Sequence, residues 1–214
     1  TLVIQALDNG TPALSVSANA SISVSNMNEA PVMSSQTFAI NENATNGSAV
    51  GIMTAINPEQ GQSITFSIQS GNTNSAFAIN ATTGAISVNN STVLNYETNP
   101  VFTLVIQALD NGTPPLSATS NAVINLNNVN EAPSMSAQSF SINENTANGT
   151  AVGTMAATNP DQGQSITYSI QSGNTGSAFT INTTSGLISV NNTAALNFET
   201  TPLFTLIIQA LDNG

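Results

Sequence analysis

The side chains that can carry charge in this chain are of one kind. Eleven Asp and Glu residues stand among 214, with no Lys, Arg, His or Cys, for a net charge of −11. Carboxylates alone support two chemistries. A pair flanking a glycosidic bond can act as acid and base, and a group of them can ligate hard cations such as calcium through oxygen. Other routes are closed. There is no nucleophile–base pair built on Cys or His, no Lys for a Schiff base, and no cationic group for an oxyanion. Zinc or copper sites built on imidazole or thiolate are equally excluded. Nucleic acid and anionic membrane surfaces are bound through Lys and Arg, so both drop out as partners.

The acids recur with a period. TLVIQALDNG opens the chain at Thr1 and returns at Thr103, and TLIIQALDNG closes it from Thr205. Asp8, Asp110 and Asp212 are therefore spaced by 102 residues, and residues 1–112 align with 103–214 without a gap, at 79 identities. Tandem self-similarity on this scale defines an array. One period, Glu29 to Asn130, holds Glu29, Glu42, Glu59, Glu97 and Asp110.

Short strands must position these acids. Phe38 and Ile40 alternate with polar neighbours, as do Ile64, Phe66 and Ile68. Phe102, Leu104, Ile106 and Ala108 form the longest such run, and Ala122, Ile124 and Leu126 the last. Turn formers such as Asn46-Gly47, Asn57-Pro58 and Thr83-Gly84 lie between, and no segment has sustained helical periodicity. Seven short strands in about 100 residues predict an all-β, immunoglobulin-like Greek-key sandwich. All ten aromatics pair across the period, from Phe38 with Phe140 to Phe102 with Phe204, so they are expected to pack cores rather than form a sugar platform.

In a sandwich, loops at alternate strand ends gather at one pole. Glu42, Glu59 and Glu97 lie in or beside such loops, Asp110 ends the long strand, and Glu29 and Glu131 lie at the joints between repeats. Acids from two repeats converge there, and with no base in the chain they need a counter-charge. Nothing in the strand pattern makes the cleft a glycosidase requires.

These residues resemble the calcium motifs of the cadherin repeat family, over the whole chain. Asn41-Glu42-Asn43 resembles its XEX element, Leu94-Asn95-Tyr96-Glu97 its LDRE, Asn159-Pro160-Asp161 its DXD, and Ala108-Leu109-Asp110 its AXD. Asn128 to Pro133, NVNEAP, resembles the DXNDNAP linker, one residue short. The wording of the repeats is closer to bacterial surface proteins than to animal adhesion receptors.

The resemblance implies tandem seven-stranded cadherin-type sandwiches outside the cell, non-enzymatic, with joints stiffened by calcium. Residues 1–29 would be the last two strands of a truncated repeat, 30–131 a complete one, and 132–214 one without its last strand, a window on a longer array. At the complete joint, the ligands implied are Glu42, Asn95 and Glu97 from above, Asn128, Asn130 and Glu131 from the linker, and Asn159, Asp161 and Asp212 from below. The first joint would be a half-site of Asn26, Asn28, Glu29, Asn57, Glu59 and Asp110. Asn in place of Asp keeps a carbonyl but gives up charge, which implies one to three ions held weakly. The partners implied are adjacent repeats of the same chain. Separately, a last repeat without its final strand and a first segment, Leu14 to Val24, without its own sandwich allow other copies in a filament formed by head-to-tail strand donation. A metal-free sandwich spacer is the further alternative.

Overall fold

The computed structural model describes all 214 residues. The long alternating run folds as expected. Val101–Asp110 forms a strand in which Phe102, Leu104, Ile106 and Ala108 are buried, with Thr103, Gln107 and Leu109 outward. Period-two alternation on a one-sided sheet requires this.

The strands, in chain order, begin with a hairpin, β1 (Leu2–Leu7) and β2 (Ser15–Ala20). Then come β3 (Val32–Met33), β4 (Gln36–Asn41), β5 (Ala49–Ile52), β6 (Ala55–Ile56) and β7 (Ile64–Ser70). The same repeat continues with β8 (Phe77–Ile79), β9 (Ala85–Val88), β10 (Val101–Asp110) and β11 (Ser117–Asn127). The next holds β12 (Ser134–Met135), β13 (Ala151–Thr154), β14 (Ala157–Thr158) and β15 (Ile166–Ser172). It ends with β16 (Phe179–Ile181), β17 (Leu187–Val190) and β18 (Ile207–Asp212). Helical turns are confined to four 3₁₀ segments of three residues.

In the middle repeat one sheet has the order β4-β11-β10-β7, the other β5-β9-β8, and β3 pairs with β6 at the side. β4 runs parallel to β11, with Phe38 opposite Ile124 and Ile40 opposite Leu126. The other pairings are antiparallel. Seven strands of three or more residues thus form the sandwich read from the sequence. Fifteen buried hydrophobic residues fill it, and Phe77 meets Phe102 edge-on at 5.1 Å between ring centroids. Gly51 is required by that packing: a Cβ there would lie 2.2 Å from the Phe38 ring.

The last repeat shows what one strand contributes. Residues 138–143 copy the β4 sequence closely but form no strand, because no β11-like segment follows β18 within residues 1–214 to pair with them. β18 is likewise shorter than β10, starting at Ile207 where the repeat equivalent of β10 would start at Leu203. Its core has seven fully buried hydrophobic residues against fifteen, and Phe140 is 41% exposed. Phe140, Tyr96 and Phe198 thus depart from the expectation that the aromatics pack cores: the first lacks its covering strand, and the other two sit outward beside acidic loop residues. At the other end, β1 and β2 pair in register from Leu2–Ala20 to Leu7–Ser15 but leave Leu2, Ile4 and Val16 exposed.

Candidate metal joint between repeats

Glu42 follows β4 immediately and is 4% exposed. Its Oε2 accepts the backbone N–H of Tyr96 at 2.6 Å and its Oε1 accepts that of Val129 at 2.8 Å. One carboxylate therefore ties the loop before β10 to the linker. Below, the N–H of Glu131 donates to Oδ2 of Asp161 at 2.8 Å, and Asp161 is 3% exposed. The loop after β14 is pinned to the linker in the same manner.

Between these ties the carboxylates converge. Ligand oxygens of Glu42, Glu97 and Glu131 lie within 4.8 Å of one another. Both Glu97 oxygens, Glu131 Oε2 and Asp161 Oδ1 are buried without a hydrogen-bond partner. The Glu131 carboxyl is pushed up, first by burial and then by the charges of Glu42, Glu97 and Asp161. Two like charges about 4 Å apart repel by about 4 kcal/mol at an effective dielectric of 20. Four such groups in a chain without a base are unfavourable alone, and the donor set fits a hard divalent cation: oxygens only, several of them free, from four separate segments.

The other residues implied as ligands are placed differently. Asn95 Oδ1 accepts the N–H of Thr98 at 2.8 Å, closing its own turn. Asn128 and Asn26 are exposed and make no side-chain hydrogen bonds. Asn130 donates through Nδ2 to Asp212 at 3.1 Å, and Asn159 Oδ1 accepts the N–H of Asp161 at 3.2 Å. Gln164 links the two: it donates to Asn130 Oδ1 at 2.7 Å and accepts from Asn159 at 3.0 Å. Gln164 was not among the residues singled out from the sequence. Its signal was there, since Gln62 precedes it by one period within the same acidic loop.

At the first joint, Glu29 donates its N–H to Glu59 Oε1 at 2.8 Å, and Glu59 Oε2 is buried without a partner. Asn28, Gln62 and Asn57 repeat the amide linkage toward Asp110. Asp110 also accepts the N–H groups of Leu116 at 2.8 Å and Gly112 at 3.0 Å. Burial opposes its ionisation most strongly of any single cause, but these bonds and that from Asn28 together hold its carboxyl below the ordinary value.

Tandem all-β sandwiches whose junction gathers buried acids from both neighbours define a modular repeat protein, with no constellation for catalysis. The chain belongs to the cadherin domain family, whose profile, described as Cadherin domain, matches residues 36–127 and 138–214. Protocadherin-23 of Homo sapiens is 35% identical over 223 residues, covering 100% of this chain and 6% of that protein. Protein dachsous of Drosophila melanogaster is 33% identical over 225 residues, again 100% of this chain and 6% of that protein. Among solved structures, mouse cadherin-23 EC22-24 matches with a TM-score of 0.64 at 29% identity, over 89% of this chain and 63% of that one. Protocadherin gammaB7 EC3-6, solved as a cis-dimer, gives 0.67 at 21% identity over 99% of this chain and 54% of that one, which shows the shared fold.

The chain thus spans only a small part of the curated relatives it matches. It is an extracellular, non-enzymatic, adhesion-type segment, and none of its helices is long and apolar enough to cross a membrane. The expected kinship with bacterial surface proteins is not supported, since these relatives are human and fly proteins.

Proposed function

We propose that this segment is a structural spacer in a longer extracellular array, with the joint between its repeats stiffened by calcium. Glu42, Glu97, Glu131 and Asp161 would hold the ion, which would supply the missing counter-charge and crosslink the upper repeat, linker and lower repeat. The observation that carries this reading is the set of buried carboxylate oxygens without partners in a chain that has no base. Four carboxylates balance two divalent charges, so the joint would take at most two ions. Glu29 and Glu59 would complete a second joint with acids from a preceding repeat. On this reading residues 1–29, 30–131 and 132–214 are a partial, a complete and a second partial repeat, and the neighbouring repeats are the principal partners.

Chelation should loosen the joint. Small-angle scattering in calcium and in chelator tests this: the maximum dimension and its spread change if calcium sets the angle, and identical profiles refute the proposal. Strand donation between copies is a second reading, favoured by the exposed apolar residues of β1 and β2 and by the uncovered edge of β18. It requires association that scattering at rising concentration would detect.

A further inference from the structure

Each of the two repeats carries a directed chain of amides that runs from the acidic loop after β6 or β14 to the carboxylate ending β10 or β18. In the last repeat the N–H of Asp161 donates to Asn159, Asn159 to Gln164, Gln164 to Asn130, and Asn130 to the Asp212 carboxylate. In the middle repeat Glu59, Asn57, Gln62, Asn28 and Asp110 make the same four links. The direction is fixed from both ends. A backbone N–H can only donate and an ionised carboxylate can only accept, so every amide between them has a single workable orientation. Bonds aligned in this way reinforce one another.

The backbone is shaped to admit this chain. A Cβ on Gly112 would lie 2.1 Å from Asn28 Oδ1, and one on Gly214 would lie 1.8 Å from Asn130 Oδ1 and 2.6 Å from Gln164 Nε2. Asn28 also donates to the carbonyl of Pro114 at 2.8 Å. The oxygens of Asn130 and Asn159 thus face N–H groups, and Asp212 Oδ1 accepts from both Asn130 Nδ2 at 3.1 Å and the Gly214 N–H at 3.2 Å.

We propose that the Asn130–Gln164–Asn159 chain stands in for a cation at the Asp212 end of the joint and clamps the linker to the lower repeat without metal. This rests on the calcium reading only for the other end. Calcium would then act only at the other end, among Glu42, Glu97, Glu131 and Asp161. The joint becomes a one-sided hinge: on chelation the upper repeat keeps only the direct Glu42–Val129 bond and loses the ion-mediated link through Glu97, while the linker stays docked on Asp161 and Asp212.

The test uses the 214-residue chain, with calcium stoichiometry by titration calorimetry and the side-chain amide signals of Asn130 and Gln164 by NMR. The expected results are an unchanged ion count in Asp212→Asn, and Asn130 amide protons equally protected in calcium and in chelator. Replacing Asn130 and Asn159 together by Asp should add one bound ion. Loss of an ion in Asp212→Asn, or Asn130 amide protons that exchange freely in chelator, would overturn the proposal. If the unaltered chain binds no calcium, the calcium reading fails, while the Asn130 signals in chelator still decide the clamp.

Discussion

Glu42 Oε1 accepts the backbone N–H of Val129 at 2.8 Å, across 87 residues of sequence. The residue that follows β4 therefore holds the segment that leaves β11. Its other oxygen takes the N–H of Tyr96, so the whole carboxylate is committed to shaping the joint and only its remaining lone pairs face Glu97 and Glu131.

Glu42→Ala would leave two backbone donors without their acceptor. An unsatisfied buried group costs about 1–3 kcal/mol, and thermal melting of the variant in chelator should show a loss of this order. Glu144→Ala, at an exposed position with a single longer bond to Phe198 at 3.1 Å, should cost markedly less.

Acidity acts with opposite sign on Glu131, in the joint between the two repeats, and on Asp110, at the first joint. The folded-state pKa of Glu131 is raised, so in chelator the folded protein binds more protons than the unfolded chain just above the ordinary Glu range. Stability should then fall as pH rises through that window. Asp110 has the opposite sign: its contribution is present above the ordinary Asp value and is lost as pH falls through its depressed one. Melting in chelator should accordingly improve on mild acidification in the unaltered chain, and Glu131→Gln should remove that gain.

Gly51→Ala would drive a methyl into the Phe38 ring. Overpacking of this kind costs about 1–3 kcal/mol. The middle repeat should melt earlier, and Phe38→Leu in the same chain should recover part of the loss.

A β11-like strand supplied to the last repeat should complete its sheet. Fusing a copy of residues 113–127 after Gly214 would give residues 138–143 a parallel partner like the one β4 has. Hydrogen exchange should then show protection at Phe140 and Ile142 that is absent without the extension.

The strands were legible because Phe102, Leu104, Ile106 and Ala108 alternate on a face with one side buried, a pattern few other folds accept. The same pattern misleads at residues 138–143, where the apolar spacing is intact but the strand needs a partner far along the chain. The acids were legible as a group because no base could neutralise them. What spacing could not separate was the role of each Asn. Asn95 closes a turn and Asn130 joins an amide chain. Both are carbonyl-bearing residues at motif positions, and only the partner presented by the fold decides between ligand and hydrogen-bonding group. Gln164 stayed hidden for the same reason, as one amide among many in a chain rich in them.

Thermal melting of the 214-residue chain across a calcium titration, repeated in chelator and with Glu97→Gln, tests the central claim most directly. A ligand at about 100 times its dissociation constant stabilises the folded state by about 2.7 kcal/mol. The account predicts a calcium-dependent rise of several degrees, reversed by chelator and abolished by the substitution. A melting temperature indifferent to calcium, or a rise that survives Glu97→Gln unchanged, would contradict it.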